Sequence, residues 1–413
     1  MLRHASEIRV GLVGCGSMGR GIALQIKATP GMRLLWAADL NPDAASAVGA
    51  ATGCGASTNA LQMLEAQPVD VFVEASNSIE SAARYCFAAI ETGAHVVLMN
   101  AEVDLALGPL LQHTAAARGL VTTSDAGDQH GVLASMIMEA DLMGLEVVQA
   151  GNIKGFLDRR ATPAGLVDEA AKRRLSPEQC CAYTDGTKLH IEMALLANGF
   201  GYLPPEGGMS GPRARTVNEA LALFDFAAYG GIPRVEYILG AEPGGGVYLV
   251  VQPKTTLADE QRFYLDYYKL GQGPCYLLYR PYHLCHLETP KAILAVMQGA
   301  PVLAPGQGNR LLSPRSASAN PTCQVFARAK RTLEAGEILQ HAIGSEACYG
   351  TLELRETPGI PIVLLERPVT LMRRVRCDHL LSPADLELPD TDLTRWWQEQ
   401  ETLLESKRTP VSI

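Results

Sequence analysis

The chain has 413 residues, enough for two or three domains, and its 47% hydrophobic and 19% charged residues are the balance of a well-packed protein. A net charge of −9 and a pI near 5.6 argue against a general nucleic-acid or anionic-membrane surface. No apolar stretch reaches the length of a membrane span, and the first strand begins within eight residues with no signal-peptide core, so the expected compartment is the cytoplasm.

The apolar run Ile8 to Val13 reads as a buried parallel strand, followed by Gly14-Cys15-Gly16-Ser17-Met18-Gly19 and a helix from Ser17 to Ala28. Pro30-Gly31 breaks the chain, and a second strand, Leu34 to Ala38, ends at Asp39. Strand, glycine turn, helix, strand and acid in this order form a dinucleotide site. Gly14 permits the tight turn, Gly16 admits the pyrophosphate, Gly19 lets helix and strand approach, and Ser17 and Met18 open the helix whose N–H groups favour phosphate. Asp39 would accept hydrogen bonds from ribose hydroxyls and repel a 2′-phosphate. Leu40-Asn41-Pro42 supplies no arginine for such a phosphate, so NAD is favoured over NADP.

Helices at Asn59–Ala66, Ser78–Thr92 and Gly108–Arg118 alternate with strands at Val69–Glu74, His95–Met99 and Leu120–Thr123. This is the rhythm of a doubly wound α/β sheet, whose ligands lie beyond the strand carboxyl ends. Loops at 74–77, 100–102 and 124–130 leave those ends, making Ala75, Ser76 and Asn100 candidate cofactor contacts. A helix through Met143 and a strand from Glu146 to Gly151 then open an α+β region. Residues 298–320, rich in Gly, Pro, Ser and Ala, read as a linker. Strands at Cys323–Ala329, Val369–Val375 and Leu381–Leu386 suggest a small β domain, and Asp392–Lys407 a docked helix with Trp396 and Trp397. The expected division is 1–130, a Rossmann domain; 131–319, an α+β catalytic domain; 320–392, a β domain; and 393–413, a tail helix.

Ten cysteines without paired C-x-x-C spacing indicate neither a zinc cage nor a disulfide framework, and no compact metal motif is visible. In the middle region, Asp185-Gly186-Thr187-Lys188 leads into an apolar helix carrying Glu192 one turn after Lys188. An exposed pair at this spacing is worth a few tenths of a kcal/mol, but buried charges are expensive unless paired or catalytic. Lys269, Arg280 and His283 fall in a second polar cluster, where arginine can grip a carboxylate or phosphate and histidine or lysine can donate a proton. The glycine-rich loop Gly207 to Arg213 ends in a cation suited to clamping an anion, with closure over substrate as the expectation. Asp128 lies where the first domain hands over to the second, and Lys154 follows the strand that opens it, placed to point back toward the cleft.

The glycine motif, Val97 to Asp104, Asp185 to Lys188, Gly208 to Arg213 and Arg280-Pro281-Tyr282-His283-Leu284 together resemble the SAF-domain-containing oxidoreductases related to homoserine dehydrogenase, which include 1-deoxy-D-xylulose 5-phosphate reductoisomerase-like enzymes. Val325 to Ala329 with Gly336-Glu337 looks like the SAF (β-clip) part. The resemblance implies a Rossmann domain, a catalytic domain that dimerises and a C-terminal β domain. Where homoserine dehydrogenases carry lysine after asparagine, this chain has Ala101, which points to another substrate.

The leading expectation is an NAD(P)-dependent oxidoreductase for a small anionic, sugar-derived hydroxy or keto compound, working as a homodimer or higher homo-oligomer. Lys188 and Lys154 would polarise the reacting oxygen and Asp128 or Glu192 handle protons. Asp185, Arg213, Lys269, Arg280 and His283 would bind substrate. The alternatives are an NADPH-dependent reductoisomerase with a divalent metal, and a nucleotide-responsive binding protein without turnover.

Overall fold

A computed structural model describes residues 7–254, 258–300 and 320–408. The chain begins β1 (Ile8–Val13), α1 (Ser17–Ala28), β2 (Met32–Ala38), α2 (Pro42–Thr52), β3 (Gly55–Ser57), α3 (Ala60–Ala66), β4 (Val71–Glu74), α4 (Glu80–Glu91), β5 (His95–Leu98), α5 (Ala101–Ala116) and β6 (Thr122–Ser124). The six strands form one parallel sheet ordered β3-β2-β1-β4-β5-β6. The order reverses between β1 and β4, so the glycine turn after β1 lies at the topological switch point. The expected doubly wound α/β class is what the structure shows.

Two elements, α2 and β3, add to the sequence expectation. Asn41 starts α2 by accepting from the N–H groups of Asp43 and Ala44, Pro42 fits the first turn, and Gly53 ends it at φ 83°. A third difference is the start of α5. Residues 100–102 were expected in a loop with the helix beginning at Gly108, yet the helix begins at Ala101 because Asn100 accepts from Val103 N–H as its cap.

From Gln129 the chain forms α6 (Gln129–Leu142), β7 (Leu145–Lys154), α7 (Val167–Arg173), α8 (Pro177–Thr184), α9 (Thr187–Phe200), α10 (Ala220–Leu223), β8 (Arg234–Leu239), β9 (Val247–Pro253), α11 (Ala258–Tyr267) and β10 (Tyr276–Arg280). These are followed by α12 (Thr289–Gln298), β11 (Cys323–Ala329), β12 (Ile338–Leu339), β13 (Cys348–Leu354), β14 (Val369–Thr370) and α13 (Asp392–Arg408). A mixed four-stranded sheet runs β10-β9-β7-β8, and β11–β13 and β12–β14 are antiparallel pairs. Val369–Val375 and Leu381–Leu386 were expected as strands. Val369–Thr370 is β14, while Val375, Leu380 and Leu386 make only isolated bridges. The expected linker at 298–320 lies mostly outside the described residues.

The described residues cluster into two compact units, one from within 1–128, 284–305 and 388–413, the other from within 129–283 and 306–387. In the first, α12 joins the core beneath the parallel sheet, with Ile293 and Val296 packed among Val10, Ile22 and Val97. In the same unit Trp396 of α13 packs on Phe87, their ring centroids 5.1 Å apart. The second has its own core around Ile153, Ile238, Tyr248 and Val250. Within it α9, apolar nearly all round, packs against both β11 and β13. Among the described residues no helix is long and apolar enough to cross a membrane.

Candidate functional site

In the first unit the three glycines have three different reasons to be glycine. Gly14 has φ 88°, and a Cβ there would lie 2.4 Å from the Ala75 carbonyl oxygen. At Gly19 a Cβ would lie 1.7 Å from the carbonyl oxygen of Gly14. Nothing lies within 4 Å of the corresponding point at Gly16, so no contact within the chain requires glycine there. Gly16 also caps α1 without a side chain to take up its N–H groups. Open space at the start of a helix, with its positive dipole end exposed, suits a pyrophosphate.

Asp39 closes this turn from the side. Its Oδ2 accepts from Cys15 N–H at 2.7 Å and its Oδ1 from Asn41 N–H at 2.8 Å. Each carboxylate oxygen keeps further lone pairs for ribose hydroxyls. Ala75 and Ser76 also border the turn, as the near contacts at Gly14 require. Asn100 is buried; its Oδ1 caps α5 and its amide donates to Ser78 O at 2.8 Å.

Three acids here were not anticipated. Glu74, the last residue of β4, is fully buried, accepts from Ser76 N–H at 2.9 Å and is pushed up to about 7 by burial. Asp125 follows β6, accepts from Gly127 N–H at 2.7 Å and is likewise pushed up to about 7 by burial. Asp104 receives the Ser124 hydroxyl, and burial raises it to about 6. An acid at the end of an apolar strand, as in Val71-Phe72-Val73-Glu74, was the available signal. Asp128 is half-buried, with Cys285 Sγ 3.7 Å from its Oδ1.

In the second unit Lys154, at the end of β7, donates to Gln129 Oε1 at 2.8 Å. Lys188 stands in the first turn of α9 with its ammonium 5.8 Å from the centre of the Tyr183 ring. Glu192, one turn on, is buried. Arg280 stacks over Tyr282 at 4.6 Å, and His283 is half-buried. Lys269 is exposed at φ 69°.

Asp185 is paired inside the fold. Its side chain is fully buried, 2.8 Å from Lys330 Nζ, and its Oδ1 accepts from Thr187 N–H at the start of α9. Lys330 also donates to the carbonyls of Ala161 and Ser345, so this charge pair is satisfied inside the fold.

The loop ending at Arg213 is held by a buried acid. Glu236, buried in β8, accepts from Ser210 N–H and Oγ–H, each at 2.8 Å, and from Gly211 N–H at 3.1 Å. At Gly211, φ 56°, a Cβ would collide with the Tyr237 ring. Arg213 itself is exposed. Glu236 was missed because its loop partners are 25 and 26 residues away.

Residues 14–120 match the NAD-binding domain family of homoserine dehydrogenase, and residues 127–289 match the family described as oxidoreductase DRL, catalytic domain. The class follows: the chain is an NAD(P)-dependent oxidoreductase, and its coenzyme is NAD or NADP. A comparison with curated proteins gives no match. Among solved structures, a protein described as a "probable dehydrogenase" from Thermotoga maritima is 15% identical over 73% of this chain and 92% of that one, with a TM-score of 0.43. GenD2 from gentamicin A biosynthesis, solved with NAD, is 14% identical over 74% and 90%, with a TM-score of 0.41. The scyllo-inositol dehydrogenase of Lactobacillus casei, solved with NAD(H) and scyllo-inositol, is 13% identical over 59% and 66%, with a TM-score of 0.35.

Proposed function

We propose that this chain transfers hydride between NAD and a small anionic hydroxy or keto compound of sugar type. The observation that carries the coenzyme half is the open point at Gly16 beside the Asp39 carboxylate. A carboxylate there attracts ribose hydroxyls and repels a 2′-phosphate, which favours NAD.

The substrate half is argued by residue type. Lys154 and Lys188 would polarise the reacting oxygen and stabilise charge on it as hydride moves. Asp128 or Glu192 would carry the proton. Arg213, Lys269, Arg280 and His283 would bind the anionic group, which guanidinium can hold through two parallel hydrogen bonds. Asp185 would act indirectly, by fixing the start of α9 beneath Lys188. Residues 320–392 are read as a SAF-like β domain, supported by the antiparallel pairs β11–β13 and β12–β14, and the assembly as a homo-oligomer.

The test is a screen of hydroxy acids, keto sugars and sugar phosphates for NADH formation or consumption. Lys188→Ala should lower the rate by several orders of magnitude and leave coenzyme affinity intact. Tight NADH binding with no turnover would favour a binding protein instead, and metal-dependent NADPH consumption with 1-deoxy-D-xylulose 5-phosphate would favour the reductoisomerase.

A further inference from the structure

His190 of α9 is 5% exposed, and its ring is fixed from one side. The N–H of Leu352 in β13 donates to its Nδ1 at 2.9 Å. A ring nitrogen that accepts carries no proton, so the proton of the neutral imidazole sits on Nε2. No second hydrogen bond engages this ring among the described residues, and Nε2 is not sealed away from solvent. Burial pushes the imidazole down to about 3, and the charge of Arg159 pushes it the same way. His190 is therefore a neutral donor at physiological pH, and the described chain supplies no acceptor for its proton.

Two further donors stand beside it. The Tyr237 ring of β8 meets the His190 ring edge-on, with centroids 6.5 Å apart and planes at 73°. Tyr237 is 6% exposed; burial pushes its hydroxyl up, and Arg159 opposes that through its charge and a hydrogen bond. Arg159 is itself exposed, its guanidinium 5.9 Å from the centre of the Tyr349 ring, and it makes no ion pair among the described residues. Glycines border both ring tips. A Cβ at Gly211 would fall 2.3 Å from the Tyr237 oxygen, and one at Gly186 would lie 3.7 Å from Cδ2 of His190. Glu236 does not supply the missing acceptor, because its two oxygens receive Ser210, the Gly211 N–H and the Tyr237 N–H. All of these residues belong to the second unit.

We propose that Arg159, the Tyr237 hydroxyl and the Nε2–H of His190 form a binding site for a small carboxylate. Charge selects that ligand. The site offers one cation and two neutral donors, which match the single charge and two acceptor oxygens of a carboxylate. A phosphate monoester carries about −1.5 to −2 at pH 7 and would leave charge uncompensated against two buried rings. The site is separate from Lys188. Two residues along a helix turn a side chain by about 200°, so His190 and Lys188 leave α9 on nearly opposite sides. Binding here therefore needs neither coenzyme nor turnover, and stands or falls apart from the hydride chemistry.

The test is nitrogen–proton correlation spectroscopy of the histidine side chains in the full-length, coenzyme-free chain, titrated with acetate and, separately, with inorganic phosphate at constant ionic strength. His190→Asn removes one set of ring signals and so identifies it among the nine histidines. That set should show a neutral ring protonated on Nε2 and should shift saturably with acetate and less with phosphate. Arg159→Ala changes an exposed side chain and should weaken acetate binding by roughly 10- to 100-fold, as loss of a charged hydrogen-bond partner implies. Tyr237→Phe keeps the ring and should weaken it by about 5-fold. A His190 ring protonated on Nδ1, no response to acetate, a stronger response to phosphate, or an acetate response unchanged in Arg159→Ala would each overturn the proposal.

Discussion

The backbone N–H of Cys15 donates to Oδ2 of Asp39 at 2.7 Å, tying the acid at the end of β2 into the glycine turn after β1. The acid therefore shapes the glycine turn, and in the proposed site it would face the ribose. Asp39→Ala should lower NADH affinity by roughly 10- to 100-fold, as loss of hydrogen bonds to a charged group implies, and lower NADPH affinity much less. Paired titrations with the two coenzymes check this, and equal losses for both would show that Asp39 does not discriminate between them.

Gly19 is constrained by the chain itself. A Cβ placed 1.7 Å from the Gly14 carbonyl oxygen has to displace backbone. Gly19→Ala should destabilise the first unit by about 1–3 kcal/mol, read as a lowered denaturation midpoint in urea.

Glu74, Asp104 and Asp125 give stability an unusual pH dependence. Their folded values, about 7, 6 and 7, lie above ordinary values of about 4. Between pH 4 and 7 the folded state thus holds more protons than the unfolded chain, so these groups lower stability as pH rises through that window. Glu74→Gln keeps the acceptor for Ser76 N–H and removes the charge. It should stabilise the protein at pH 8 by on the order of 3 kcal/mol, with the gain shrinking towards pH 4. Urea unfolding at both pH values measures the difference. A gain that does not change with pH would contradict the account.

Gln400 repairs a broken helix. Pro109 lies inside α5, and the N–H of Leu110 donates at 3.1 Å to Gln400 Oε1 of α13. The Gln400 amide in turn donates to Ala106 O at 2.8 Å. One side chain so replaces the bond that Leu110 would make to Ala106, and it is fully buried. Gln400→Ala should leave two backbone groups unsatisfied and cost about 2–4 kcal/mol in thermal or urea unfolding.

What could be read from the sequence was local in the chain. The glycine motif, the strand after it and Asp39 span 26 residues, and the apolar helix carrying Lys188 and Glu192 announces itself by composition. The start of α5 was placed late because an asparagine after a strand serves equally as a loop residue or a helix cap, and only the Val103 contact decides between them. The pairing of Asp185 with Lys330, the hold of Glu236 on Ser210 and the reach of Gln400 to Leu110 join residues far apart in sequence. No periodicity signals such contacts; they exist because buried polar groups must find partners wherever the fold brings one.

The most direct test is calorimetric titration of NADH into the wild type and into Gly16→Val. The added Cβ enters open space, and replacing glycine at the cap of α1 should cost only about 1 kcal/mol, so the variant should remain folded with a slightly lowered unfolding temperature. It should bind NADH at least about 100-fold more weakly, because the pyrophosphate then meets carbon where it would have met backbone. Unchanged NADH affinity in Gly16→Val, or a wild type that binds neither coenzyme, would contradict the claim that this turn holds a nicotinamide dinucleotide.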